Sequence, residues 1–244
     1  MKTFSSSTLP IVILSGPTRG LGKALFDQLL IQEFPIICVG RDLEKIAAAA
    51  KKAHNQIQLI EVDLAAEPSV LTGALVQLRH IELSNPTKPL VFINNASVIE
   101  PIGQVRSDNY GGVERAMRIN YLSPIFIANL LSDITQTLDC SLHILNVSSG
   151  AASRPIRGWQ SYCASKAACK MGLDVLAAEN ANVQVTHFDP GVMDTSMQQL
   201  IRDQPVTNMP DVATFRKYRE DGLLKQPESV AVELIQLMKH ICGH

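Results

Sequence analysis

Two side chains four residues apart, Tyr162 and Lys166, lie within Tyr162-Cys163-Ala164-Ser165-Lys166-Ala167-Ala168. That run is rich in small helix formers, so both should project from one helix face. A phenol beside an ammonium is a proton donor whose anion the neighbouring charge stabilises. Thirteen residues before the tyrosine, Ser149 follows an apolar run and would supply a second hydrogen bond to the same substrate oxygen. Opposite a source of hydride, such a trio would reduce a carbonyl or oxidise an alcohol.

The elements that must hold these groups alternate along the chain. Ile11-Val12-Ile13-Leu14 is a short continuous apolar run, as a strand buried on both faces requires. Similar runs recur at 35–39, 57–62, 90–93, 142–147 and 183–188. Helical patterns follow through Leu25, Leu29 and Leu30, from Leu43 to Ala53, and from Pro68 to Leu83 with Pro68 in the first turn. A turn is expected over Asn85-Pro86-Thr87-Lys88-Pro89. A long helical stretch over 110–138 should be disturbed at Pro124, and helices are expected over 162–180 and 227–238. The polar segment 195–225 shows weak periodicity. This alternation predicts an α/β fold, a doubly wound parallel sheet covered on both faces by helices. With no repeat, linker or shift in composition, residues 1–244 read as a single domain.

The hydride source is expected in the first strand-to-helix turn, Gly16-x-x-x-Gly20-x-Gly22. Glycines there permit a tight turn and close approach of backbone to phosphate, with a helix N-terminus facing the anion. Thr18, Arg19 and Leu21 share that turn and count among its cofactor contacts. An acidic side chain at the end of the second strand would bind the adenosine ribose of NAD. Here that position holds Arg41, followed by Asp42, and Arg19 lies nearby in the glycine loop. Two guanidinium groups favour a 2′-phosphate, hence NADP(H). The competing reading leaves both arginines solvated and gives the ribose to Asp42.

Composition narrows the remaining classes. Basic and acidic residues number 22 and 23 without like-charged blocks, so no nucleic-acid or anionic-membrane partner is expected. Met1 to Ser7 is polar, and no apolar run approaches a membrane span. The five scattered cysteines contain no C-x-x-C pair and read as reduced thiols of a cytoplasmic protein, Cys163 as a small core residue or a reactive one. His54, His80, His143, His187, His240 and His244 show no ligand spacing, so no metal is expected.

Taken in order, Gly16-x3-Gly20-x-Gly22, Asp63, Asn94-Asn95-Ala96, Asn120, Ser149, Tyr162-x3-Lys166 and Pro190-Gly191 resemble the short-chain dehydrogenase/reductase family across almost the whole chain. Gly158-Trp159-x-x-Tyr162-Cys163-Ala164 and Pro190-Gly191-Val192-Met193-Asp194-Thr195-x-Met197-Gln198 look like its sepiapterin reductase and benzil reductase branch. The resemblance implies a Rossmann-like sheet of strand order 3-2-1-4-5-6, with the seventh strand missing or truncated. It also implies that Asp63 and Leu64 flank the adenine and that Asn94 and Ala96 lie at the adenosine ribose. Pro190 and Gly191 would lead to nicotinamide contacts from Val192 and Thr195. Tyr162 would donate the proton to a carbonyl substrate and Ser149 would polarise it, with Ser148 a structural neighbour. Lys166 would lower the Tyr162 pKa and bind the nicotinamide ribose, and Asn120 would hold a relay water.

Two departures from that pattern carry expectations. Ser97 stands where the family has glycine, so a positive φ there would strain it. The sequence ends at Ile241-Cys242-Gly243-His244, where the pterin-binding relatives continue to an anchoring aspartate, which favours a benzil-like diketone over a pterin. For substrate contacts, Trp159 would form an apolar wall or else pack its own loop, and Met193 and Met197 would line the pocket. The stretch after Thr195 is where a closing lid would sit. Ala164, Ala167, Ala168 and Gly172 give the tyrosine-bearing helix a small-residue face, and the resemblance implies a homodimer through such helices.

Overall fold

The computed structural model describes residues 9–53, 56–80, 88–105 and 109–243. The expected N-terminal polar segment 1–7, the helix end at Leu83, the turn over 85–87, His54 and His244 lie outside the described residues. Six parallel strands are hydrogen-bonded in the order β3-β2-β1-β4-β5-β6. They are β1 (Ile11–Ser15), β2 (Ile36–Gly40), β3 (Ile57–Glu61), β4 (Leu90–Asn94), β5 (Leu142–Val147) and β6 (Val183–Phe188). The helices are α1 (Gly20–Ile31), α2 (Glu44–Lys52), α3 (Pro68–Leu75), α4 (Tyr110–Met117), α5 (Ser123–Leu138), α6 (Gln160–Glu179), α7 (Ser196–Arg202), α8 (Val212–Glu220) and α9 (Pro227–Ile241).

Alternation along each strand divides the core between the two faces of the sheet. Ile11 and Ile13 of β1, with Leu90 and Phe92 of β4, pack among residues of α3, α5 and α6. Val12 and Leu14, with Val91 and Ile93, pack against α1 and α9 through Leu25, Leu29, Leu234 and Ile235. Because β1 and β4 are buried on both faces, they carry the uninterrupted apolar runs visible in the sequence.

Two helical expectations change on folding. The long stretch over 110–138 is interrupted by a π-helical turn at Arg118–Leu122, one turn ahead of Pro124. Pro124 has no N–H to donate to the carbonyl of Asn120, four residues earlier, and its ring crowds that carbonyl. The wide turn takes up this defect and leaves Pro124 in the first turn of α5, where proline is tolerated. The segment 195–225 forms α7 and α8, short helices whose apolar sides face the site more than the main core, which blurred their periodicity.

The last helix is the stabilising partner of the first. Leu234 of α9 is fully buried, whereas Val232 on the same helix is 39% exposed. Leu234→Ala should cost about 2–5 kcal/mol in a denaturant titration, and Val232→Ala less than about 0.5 kcal/mol. Equal shifts of the two midpoints would mean that α9 does not dock as described.

Candidate active site

Between β1 and β4 the strand order reverses, and the C-terminal ends of these strands open into a cleft. Asn95 holds its edges together. Its Nδ2 donates to the carbonyls of Ser15 and Gly16 at 3.0 and 3.1 Å. Ser15 Oγ in turn accepts from the main-chain N–H groups of Asn95 and Ala96, both at 3.0 Å. Gly16 and Gly20 adopt φ of +66° and +51°. A Cβ on Gly22 would lie 1.9 Å from the Gly16 oxygen, so only glycine fits that place. This is a cradle of main chain at the start of a helix, suited to a dinucleotide phosphate.

The cleft encloses about 410 Å³ and is lined by most of the expected cofactor residues. Thr18, Arg19, Gly20, Leu21, Arg41, Asp63, Leu64, Ala96, Pro190, Gly191, Val192 and Thr195 all border it. Asn94 does not. Its side chain is 3% exposed and its Nδ2 donates to Asn146 Oδ1 at 2.8 Å, so it belongs to the joint between β4 and β5, and Asn95 faces the cleft instead. Arg41 reaches Asp63 at 3.3 Å, and Arg115 of α4 reaches the same carboxylate at 3.4 Å. Burial pushes the Asp63 pKa up, but the Ala65 N–H and the two guanidinium groups outweigh it and hold the carboxyl below its ordinary value. Two cations on one carboxylate leave Arg41 with donors for a second anion.

At the other end, Ser149, Tyr162 and Lys166 line the same cleft. Ser149 Oγ accepts from the Ala151 N–H at 3.2 Å, which leaves its own proton free for another acceptor. Tyr162 is 7% exposed, and burial pushes its pKa up to about 12 against the lowering effect of hydrogen bonds with Ser149 and Ser97. Lys166 Nζ donates to the carbonyl of Val147 at 2.9 Å and stands 5.8 Å from the Tyr162 ring centroid. The expected lowering of the tyrosine pKa by this ammonium is therefore not the dominant effect in the protein alone. Burial also pushes the Lys166 pKa down, partly offset by Cys169 and Asp189.

Asn120 lies behind the cleft, 1% exposed. Its Oδ1 accepts from the Val98 N–H at 2.9 Å and from Ser97 Oγ at 3.1 Å. Its Nδ2 donates to the Val98 carbonyl at 2.8 Å and to Ser165 Oγ at 3.0 Å. The carboxamide is fully committed, so the Asn120 side chain has no bond left for the expected relay water. Ser97 is not among the positive-φ residues, so the expected strain is absent, and its hydroxyl donates to the Asn120 carboxamide.

The substrate end is walled by residues from several elements. Trp159 borders the cleft and also packs among Ile99, Met209 and Val212. Its ring meets Tyr162 edge-on at 5.6 Å and Phe215 at 5.1 Å. Met193 and Met197 border the cleft as expected, joined by Ile99, Ile156, Ile201, Phe215 and Tyr218. The two aromatics of α8 were invisible in the sequence, since only the fold brings residues 215 and 218 back over Trp159. The roof is tied down by the Arg157–Asp211 ion pair and by parallel pairing of Met193 with Lys225. Cys163 is half-buried and outside the cleft lining, and among the described residues no group of His, Cys, Asp or Glu could hold a metal.

Residues 10–206 match the family model described as short chain dehydrogenase. Among curated proteins, the chain is 27% identical over 236 residues to a benzil reductase ((S)-benzoin forming) of Bacillus subtilis, covering 95% of this chain and 94% of that one. It is 29% identical over 241 residues to the sepiapterin reductase of Mus musculus, covering 94% and 91%. Among solved structures, the KRED1-Pglu enzyme superposes with a TM-score of 0.80 at 26% identity, over 93% of this chain and 94% of that one. Both the matched sequence and the crevice with its Ser149, Tyr162 and Lys166 lead to one assignment: the chain belongs to the short-chain dehydrogenase family, as an oxidoreductase acting on carbonyl or hydroxyl groups.

Proposed function

We propose that the protein is an NADPH-dependent carbonyl reductase whose substrate is an aromatic ketone or vicinal diketone. The observation that carries this reading is the convergence of Ser149, Tyr162 and Lys166 with a wall of Trp159, Phe215 and Ile201 in the cleft that holds the glycine cradle. When bound, the nicotinamide cofactor supplies the hydride. Gly16, Gly20 and Gly22 would receive its pyrophosphate, Leu64 and Ala96 its adenosine, and Arg19 and Arg41 a 2′-phosphate. Lys166, with one N–H held by Val147, has two left for the nicotinamide ribose.

Ser149 donates to the substrate oxygen and Tyr162 gives up its phenolic proton as that oxygen gains charge. A tyrosine whose pKa burial raises stays protonated at neutral pH, the form a reductase needs. The apolar wall supports two flat rings better than a highly polar substrate, and both benzil and sepiapterin reductases are among the curated relatives. Following NADPH absorbance with benzil, isatin and sepiapterin separates the two activities. Turnover of the diketones is expected; turnover of sepiapterin alone would move the assignment to pterins, and turnover of no carbonyl would overturn the reading.

Three outcomes follow from the named roles. Tyr162→Phe should lower kcat by about 10²–10⁴-fold with the NADPH Kd little changed. Arg41→Ala should raise the NADPH KM about tenfold or more, as loss of a charged hydrogen bond to phosphate requires, and the NADH KM much less. Equal effects on both cofactors would return the ribose to Asp42. The third concerns assembly. Gly172 packs inside the protomer, where a Cβ would meet Ile125 at 2.8 Å, but Ala164, Ala167, Met171, Val175 and Ala178 form an exposed stripe on α6. We assign this stripe to a homodimer; light scattering should give twice the chain mass for the parent and a monomer for Met171→Glu.

A further inference from the structure

Ser97 occupies the position after Asn95-Ala96 and lines the cleft. The orientation of the Asn120 carboxamide fixes the direction of every bond around it. The Val98 N–H must face Oδ1 and the Val98 carbonyl must face Nδ2, so the amide cannot be flipped. Ser97 Oγ, 3.1 Å from that Oδ1, is therefore the donor of their bond. Ser97 Oγ thus lies beside the Tyr162 phenol with its own proton turned to Asn120. On the other side, Asn120 Nδ2 donates to Ser165 Oγ at 3.0 Å, and Ser165 donates to the main-chain carbonyl of Tyr162 at 3.0 Å. These bonds make a chain from Ser97, beside the phenol of Tyr162, through Asn120 and Ser165 to the main-chain carbonyl of the same tyrosine.

We propose that Ser97 is a further positioning residue of the reaction, which holds the Tyr162 phenol in place and turns its hydroxyl proton onto the phenolate once Tyr162 has protonated the substrate oxygen. The turn requires no movement of the chain. Asn120 Oδ1 keeps its bond from the Val98 N–H when Ser97 rotates away, so no buried acceptor is left empty. Ser149 is then free to serve the substrate oxygen while Ser97 serves the phenolate. A hydrogen bond to the charged form favours it, in agreement with the lowering effect of Ser97 on the Tyr162 pKa. A glycine at this position would leave Asn120 joined to Tyr162 only through Ser165 and the main chain, with no hydroxyl beside the phenol.

The proposal rests on Tyr162 being the proton donor, and its test separates the two. Wild-type protein that reduces benzil must also oxidise benzoin with NADP⁺, by microscopic reversibility, and that direction needs Tyr162 as a base. The rate of oxidation therefore rises with pH through the apparent pKa of Tyr162 in the complex. Removal of a donor to the phenolate raises that pKa and moves the rising limb to higher pH. Cys163 and Lys166 on the same helix, Asp189 after β6, and Arg154 and Glu100 at the cleft wall are the other titratable groups there, and all remain in the variants.

The measurement is the pH profile of benzoin oxidation for wild type, Ser97→Ala and Ser97→Gly, with NADPH affinity from fluorescence titration as the check on folding. Both variants should bind NADPH within about twofold of wild type. Both should shift the limb upward by about one pH unit, the size of one hydrogen bond to a charged group. An unchanged limb in both variants would overturn the role of Ser97. So would a shift in Ser97→Ala alone, because glycine lacks the hydroxyl equally and the cause would then be the methyl group. Loss of NADPH binding in both would assign Ser97 to the cofactor cradle instead. Wild type that turns over no carbonyl would overturn the underlying reading, whatever the variants do.

Discussion

The joint between β1 and β4 is the constraint on which the site depends. Parallel strands that lead to helices on opposite faces must part at their C-terminal ends, and the gap exposes main-chain groups that no ladder can satisfy. Asn95 and Ser15 satisfy them across the gap, with the Asn95 side chain on the carbonyls of Ser15 and Gly16 and the Ser15 hydroxyl on the N–H groups of Asn95 and Ala96. These four bonds fix the distance between the glycine cradle and the strand end that leads to Ser97. Shortening the joint would close the cleft, and loosening it would uncouple the cradle from the residues that do the chemistry.

A second layer of polar groups carries that order to the reacting oxygen. Asn146 joins Asn94 to His187, and His187 continues to Asp174 on α6 at 2.8 Å. The helix that bears Tyr162 and Lys166 is thus tied to the sheet by side-chain bonds as well as by Cys169, Leu173 and Leu176 in the core. Asn120 reaches the same helix from the other side through Ser165. Polar groups bonded in this way hold one geometry more firmly than apolar contacts, which tolerate sliding. Placement of a phenol to a fraction of an ångström is the kind of task that justifies the desolvation they cost.

Much of this was legible before folding. Buried parallel strands announce themselves as apolar runs, and the glycine spacing, Ser149, Tyr162 and Lys166 are local features whose meaning depends little on distant contacts. What stayed hidden depends on the return of the chain. Asn94 and Asn95 are chemically alike, and only the pleat of β4 decides which one enters the cleft and which one braces β5. Ser97 drew notice as a substituted glycine, but its importance comes from Asn120, twenty-three residues away and across the sheet end. The segment holding Phe215 and Tyr218 looked merely polar because it buries one narrow side against Trp159, not a broad stripe against the core.

That division of labour explains where specificity can vary. Tyr162 and Lys166 on α6 and Ser149 just after β5, the groups proposed to do the chemistry, are held by the sheet. The aromatic wall stands on α8 and the loop before α6, fastened to one another by the Arg157–Asp211 pair and by Gly158, where a Cβ would strike the Asn208 carbonyl at 2.5 Å. Asp194 adds a second attachment, with Arg202 and Arg219 each at 3.8 Å, and the Val192–Asp194 segment is bonded to Lys225 ahead of α9. Changes in this clasp alter the shape offered to a ketone and leave the bonds around Asn120 undisturbed. Under the proposed chemistry, changes around Asn120 and Ser97 would instead act on proton transfer whatever the substrate. Ser97 is grouped with Asn120 and not with the clasp, although its side chain reaches the cleft surface, because its hydroxyl donates to the Asn120 carboxamide behind the cleft.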